Sequence, residues 1–80
     1  MKKIEFDYSK LKGKIKEEMG TQTRLARKLE IDETTMSNKL NNNTYFTQVE
    51  IAKICTILHI NFLNIPKYFF NQKVRENEQK

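Results

Sequence analysis

Residues 33–38 carry a cluster of short polar side chains of the types that hydrogen-bond to nucleic-acid bases. Glu33, Thr34, Ser37 and Asn38 are spaced so that they share one side of a helix. In the major groove of DNA, an Asn amide pairs with adenine, a Glu carboxylate accepts from cytosine, a Thr methyl contacts thymine, and a Ser hydroxyl suits any base. These four residues are the candidate base-reading residues. The same types are common on any solvated helix, so this surface alone does not decide the function.

A second group of polar residues surrounds this cluster and suits contacts with phosphates. Gln22 is predicted at the start of the preceding helix, where free amide groups favour an anion. Lys39 is equally well explained as an ordinary surface lysine. The candidate backbone-contacting residues are Gln22, Thr35, Lys39, Asn41, Asn43 and Thr44.

Residues for catalysis or metal binding are few in this chain. It has one His and one Cys, His59 and Cys55, and a single residue of each cannot complete a zinc site. Its two glycines, Gly13 and Gly20, do not form a phosphate-binding loop. We therefore expect no enzymatic activity, no metal or other cofactor, and no small-molecule ligand.

Five short helices are predicted to position these residues. Asp7 or Ser9 can begin the first, and Gly20 can end it. The second is capped by Thr21 and the third by Asp32. The apolar positions of these three helices are Leu11, Ile15, Met19, Leu25, Ala26, Leu29, Met36 and Leu40.

The second half of the chain has the clearest helix start. Thr47 and Glu50 match a capping box, which predicts a fourth helix, buried along Ile54, Cys55 and Leu58. Asn41–Asn43 can end the third helix in left-handed geometry. Asn61 is predicted to cap a short fifth helix, and Pro66 to limit its continuation.

The two ends of the chain are predicted to meet. Ile4, Phe6 and Tyr8 alternate with acidic residues, as in a strand or an extended arm. We expect antiparallel pairing of residues 3–6 with part of 69–74, followed by a polar tail within 71–80. The aromatic cluster Tyr68, Phe69 and Phe70 is expected to close the core, with a dimer surface as the alternative.

Composition limits the protein to one domain over residues 1–80. Lys and Arg number 15 against 10 Asp and Glu, for a net charge of +5, which suits a polyanionic partner. The single Cys55 is expected to be a buried hydrophobe in a reducing compartment. The sequence lacks a signal-peptide pattern and a stretch of ~20 apolar residues, so a cytoplasmic protein with no membrane partner is expected.

Residues 22–41 form the most specific motif. Two short helices separated by three or four residues must meet at a corner, as in a helix-turn-helix, with small Ala26 at the close approach. Residues 22–36 resemble the helix-turn-helix of phage lambda-type repressors and Cro proteins, through Gln22, Leu25-Ala26, Leu29, Ile31 and Met36. Residues 6–74 as a whole resemble small Cro-like regulators of Gram-positive phages.

The resemblance implies an all-α, five-helix, lambda-repressor-like DNA-binding domain. It also implies a sequence-specific transcriptional regulator, with the third helix in the major groove and Gln22 on a phosphate. The expected partner is double-stranded operator DNA, bound by a homodimer that forms at least on DNA. Glu30 departs from the family, which usually has glycine there, and Leu40 comes one position later than in most repressors.

Two other functions fit the same sequence. The first is a protein-interaction module on a helix-turn-helix scaffold, such as an anti-repressor or the binding half of an antitoxin, because a fold does not determine a function. The second is a nucleoid-type protein that binds DNA without sequence preference. Salt-sensitive DNA binding that depends on Asn38 and Thr34 would distinguish the operator-binding regulator from both.

Overall fold

The computed structural model describes residues 4–73, and within them the chain forms five α-helices around one core. The helices are α1 (Ser9–Met19), α2 (Gln22–Leu29), α3 (Glu33–Leu40), α4 (Gln48–Leu58) and α5 (Ile65–Phe69), with a 3₁₀ turn (Phe62–Asn64) before α5. The predicted all-α fold class is confirmed. Within the described residues, no helix is long and apolar enough to cross a membrane.

Side-chain caps define the starts of two helices, α2 and α4. At α4, Thr47 Oγ1 accepts from the Glu50 amide at 3.1 Å, and Glu50 Oε1 accepts from the Thr47 amide at 2.9 Å, so the predicted capping box is confirmed. Thr21 caps α2 at 3.2 Å from the Arg24 amide. Asp32 precedes α3 as predicted, but its side chain makes no capping hydrogen bond.

Two helix starts differ from the sequence-based expectation. The residue that precedes α1 is Tyr8, and Asp7 acts from outside the helix, where its Oδ1 accepts from the Ser9 amide at 2.9 Å and the Ser9 hydroxyl at 2.6 Å. These hydrogen bonds lower the pKa of Asp7. The expectation that Pro66 limits a helix is wrong. Pro66 lies in the first turn of α5, where a missing N–H costs no helical hydrogen bond.

The core draws side chains from all five helices. Leu11, Leu25, Met36, Ile54 and Phe69 are buried and contribute one helix each. Burial of this apolar surface is the main stabilising term for so small a domain. Cys55 is buried as predicted, and burial raises the pKa of its thiol.

The three aromatic residues near the C-terminus divide between core and surface. Phe69 is buried, Tyr68 is half-buried, and Phe70 is exposed over 51% of its surface. The core therefore takes Phe69, while the ring of Phe70 stays outside and packs edge-on against Phe6 at 6.1 Å.

The predicted pairing of the chain ends is confirmed within the described residues. Phe6 and Gln72 form an isolated antiparallel bridge. On either side of it, the Asp7 amide donates to the Asn71 carbonyl at 2.7 Å and the Lys73 amide donates to the Glu5 carbonyl at 2.9 Å. Lys3, at the start of the expected arm, and residues 74–80, which include Val74 and most of the expected polar tail, lie outside the described residues.

Candidate recognition surface on the second and third helices

A tight turn joins α2 to α3 at the predicted corner. The Ile31 amide donates to the Ala26 carbonyl at 3.0 Å, and the Glu30 amide donates to the Arg27 carbonyl at 3.0 Å. Glu30 has a φ of 61°, so the left-handed geometry that favours glycine is kept although glycine is absent. Ala26 is buried, which fits a close approach of the two helices.

The first turns of α3 present polar side chains to solvent. Glu33, Thr34 and Ser37 are exposed, and Asn38 is half-buried. A shallow depression of about 160 Å³ brings Gln22 of α2 together with Glu33 and Ser37. The structure therefore places one candidate phosphate-contacting residue beside two of the candidate base-reading residues.

Hydrogen bonds within the surface occupy several of the Asn side chains. Asn43 Nδ2 donates to Asn38 Oδ1 at 3.2 Å, and Asn41 Nδ2 donates to Ser37 Oγ at 3.4 Å. Asn38 Oδ1 keeps a second lone pair and its Nδ2 has both donors, so pairing with adenine is compatible with the hydrogen bond from Asn43. Asn41, Asn43 and Thr44 are exposed, whereas Thr35 is half-buried.

Lys39 lies inside the protein rather than on the recognition surface. Its Nζ is 3.0 Å from the Tyr45 carbonyl and 3.1 Å from Glu50 Oε1, and the residue is 8% exposed. Contact with a phosphate would require both of these interactions to break. Burial raises the pKa of Glu50, but the Thr47 amide and the Lys39 ammonium outweigh burial and hold it below its usual value.

Asn42 is a structural residue that the sequence analysis did not single out from its two Asn neighbours. Its Oδ1 accepts from the Phe6 amide at 2.8 Å, and its Nδ2 donates to the Phe6 carbonyl at 2.9 Å. The Tyr45 hydroxyl donates to the Ile4 carbonyl at 2.7 Å. The loop after α3 thus holds the N-terminal arm. A run of three Asn residues indicates left-handed geometry, but it does not indicate which of the three is buried.

Charge is divided unevenly between α2 and α3. Glu30, Asp32 and Glu33 are exposed at the start of α3, and the one cation of that helix is the buried Lys39. The exposed surface of α2 carries Arg24, Arg27 and Lys28, and α2 contains no acidic residue. The turn before α3 and the first residue of α3 are therefore acidic, although the chain as a whole is basic.

Metal-binding groups do not gather near this surface. Among residues 4–73, no three His, Cys, Asp or Glu side chains lie close enough together to hold a metal ion. Every buried side-chain nitrogen and oxygen in the same residues has a hydrogen-bond partner. The exposed polar and charged side chains of this surface can form hydrogen bonds and ion pairs with a partner.

Residues 4–72 match a family described as "Protein of unknown function (DUF739)". The chain belongs to the DUF739 family. A solved structure also resembles this DUF739 protein: the solution structure of the modulator of repression (MOR) of the temperate bacteriophage TP901-1 from Lactococcus lactis. The two are 46% identical with a TM-score of 0.75, over 88% of this chain and 95% of that one. Nothing among curated proteins matches.

These likenesses bear on the resemblance stated from the sequence. The DUF739 chain shares its fold with a regulator from a temperate phage, which agrees with the expected likeness to small phage regulators. The finer assignment to lambda-type repressors and Cro proteins stays a prediction. So do the DNA-contacting roles assigned above to residues of α2, α3 and the loop that follows.

Proposed function

We propose that this DUF739 protein regulates repression in a phage by binding a repressor protein through the outward surface of α3. Its likeness to the phage modulator of repression supports the regulatory part of this proposal. The proposed role is binding rather than catalysis, in the cytoplasm of the bacterial host. This is the alternative function drawn from the sequence, an anti-repressor-like module on a helix-turn-helix scaffold.

The acidic start of α3 is the observation that carries the proposal. Glu30, Asp32 and Glu33 are exposed, and no exposed cation of α3 offsets them. The DNA major groove is bordered by phosphates, which repel three such carboxylates. The DNA-binding surface of a repressor is basic for the same reason, so it complements this acidic surface. Binding there would compete with operator DNA for the repressor.

The first test is a titration of the protein with the helix-turn-helix repressor of the same phage, followed by calorimetry. We expect a complex that weakens as salt rises and that displaces operator DNA from the repressor. Glu33→Lys should weaken the complex by about tenfold or more. The matched control is Glu17→Lys, the same charge reversal on the exposed surface of α1. Absence of a complex, or equal loss in both variants, would contradict the proposal.

Operator binding by this chain itself is the second candidate function. The α2–α3 corner and the position of Gln22 beside Ser37 favour it, because a recognition helix needs a phosphate contact at the start of the preceding helix. A titration with the upstream DNA of its own gene, against scrambled DNA at two salt concentrations, separates the two functions. Preference of ~1,000-fold that is lost in Asn38→Ala would establish operator binding.

A further inference from the structure

An open apolar groove lies away from the α3 surface, between the N-terminal arm, the start of α4 and the C-terminal aromatic residues. Its volume is about 300 Å³, at the lower end of the range for binding pockets. Phe6, Tyr8, Phe46 and Phe69 are among its lining residues. Among the described residues, no charged side chain lines the groove.

Three side chains at the rim of this groove are large, apolar and half-exposed. Ile4 is 50% exposed, Tyr45 is 47% exposed and Phe70 is 51% exposed. The groove is held in shape by contacts on each side. The Tyr45 hydroxyl is bonded to the Ile4 carbonyl, and the rings of Tyr45 and Phe70 both pack edge-on against Phe6. A partner would meet a preformed surface and would bury apolar area with little ordering cost.

A second depression, lined by two lysines, shares Phe70 with the groove. It has a volume of about 490 Å³ and is lined by Lys10, Pro66, Lys67 and Asn71 together with Phe70. Lys10 comes from α1 and Lys67 from α5, so two helices each contribute a lysine to the lining of this depression. The two acids of the nearby arm already have partners, because Glu5 faces Lys73 at 3.9 Å and Asp7 is bonded to Ser9.

We propose that the groove and the neighbouring depression together bind one protein segment, which carries bulky apolar side chains next to carboxylates. The apolar side chains fill the groove, and the carboxylates lie over Lys10 and Lys67. Charge complementarity favours this occupant over a second copy of the chain, because a two-fold contact here brings lysines against lysines. It also favours protein over nucleic acid, because the described lining of the groove is apolar and only the neighbouring depression carries lysines. This contact is separate from the α3 surface and does not depend on it.

The test is selection of peptides from an unbiased library of random twelve-residue sequences displayed on phage, against the full chain. We expect the selected peptides to combine large apolar residues with Asp or Glu. A synthetic copy of the most enriched peptide is then titrated by NMR. It should shift the amide signals of Phe70, Tyr45 and Lys67, and leave those of Thr34 and Ser37 unchanged.

Charge and ring variants locate the binding. Lys67→Glu and Phe70→Asp should each weaken the peptide by about tenfold or more. Lys16→Glu, the same change at an exposed position of α1 outside the depression, should leave it within about twofold. Since Lys67 is exposed, its variant tests the proposal even if Phe70→Asp unfolds the domain.

Four results would overturn this inference. The first is a selection that gives only basic peptides or none. The second is binding that Lys67→Glu leaves unchanged. The third is a concentration-dependent dimer whose NMR shifts fall on Phe70 and Tyr45, since a second copy would then be the occupant. The fourth is that every peptide binds Val74→Asp more tightly than it binds the parent protein. In that case residues 74–80 of the chain itself would be the occupant that the peptide has to displace.

Discussion

Three polar residues in the first turns of α3, Glu33, Thr34 and Ser37, are exposed, whereas two polar residues near its end, Lys39 and Asn42, are buried. The exposed side chains leave hydrogen-bonding capacity for a partner. Lys39 is bonded to the Tyr45 carbonyl and to Glu50, and Asn42 is bonded to the backbone of Phe6.

The contrast shows that polarity at the end of a helix does not identify a binding residue. Lys39 has the type and the position of a phosphate contact, but it ties α3 to the start of α4. Asn42 has the type of a surface turn residue, but its side chain bonds to the amide and carbonyl of Phe6, as an adjacent strand would. Buried polar groups with complete hydrogen bonding specify one arrangement of the chain.

The largest expected effect on stability is at Asn42. Asn42→Ala leaves the amide and carbonyl of Phe6 without their partners and puts alanine at a φ of 66°. We expect a loss of about 3 kcal/mol in the free energy of unfolding, measured in urea, and faster amide exchange at Asp7 and Lys73. Asn43→Ala is the control, with a loss below about 0.5 kcal/mol, because Asn43 is exposed. Equal losses in the two variants would remove the distinction between buried and exposed Asn.

The next effect is at Glu50, which both caps α4 and pairs with Lys39. Glu50→Gln should cost about 2 kcal/mol at neutral pH, because it leaves the buried ammonium without its counter-charge. The folded-state pKa of Glu50 lies below its usual 4.5. Its contribution is therefore complete above pH 4.5 and is lost as the pH falls through the lower, folded-state value.

Unfolding measured from pH 7 down to pH 3 checks the direction of this effect. The stability of the parent protein should fall more steeply with acid than that of Glu50→Gln. The variant should keep the smaller slope that Asp7 supplies, because the pKa of Asp7 is also lowered in the folded state. Identical slopes would mean that the Lys39–Glu50 pair adds nothing.

The smallest expected effect is a gain at Glu30, in the turn before α3. Glu30→Gly relieves the left-handed backbone and should stabilise the domain by up to about 1 kcal/mol, reduced by the greater freedom of glycine in the unfolded chain. Glu30→Ala keeps the strained backbone and removes only the charge, so thermal unfolding should show no comparable gain. If both variants stabilise equally, charge repulsion with Asp32 and Glu33 is the cause instead.

Most of the fold could be predicted from local sequence because its signals act over a few residues. The capping box at Thr47, the left-handed geometry predicted within Asn41–Asn43, and the spacing of Leu11 and Ile15 all operate within one or two helical turns. The role of Pro66 was missed because a proline can either end a helix or stand in the first turn of one. Its neighbours decide which of the two occurs.

The sequence by itself determined five helices, a corner at Ala26 and a buried Cys55. Each of these depends on residue type and short-range spacing. Only the tertiary structure decided that Lys39 and Asn42 turn inward, and that Ile4, Tyr45 and Phe70 line one open groove. Those outcomes depend mainly on contacts between residues far apart in sequence, such as Phe6 with Asn42 and Ile4 with Tyr45. Such contacts exist only once the arm, the loop and the last helix have packed together.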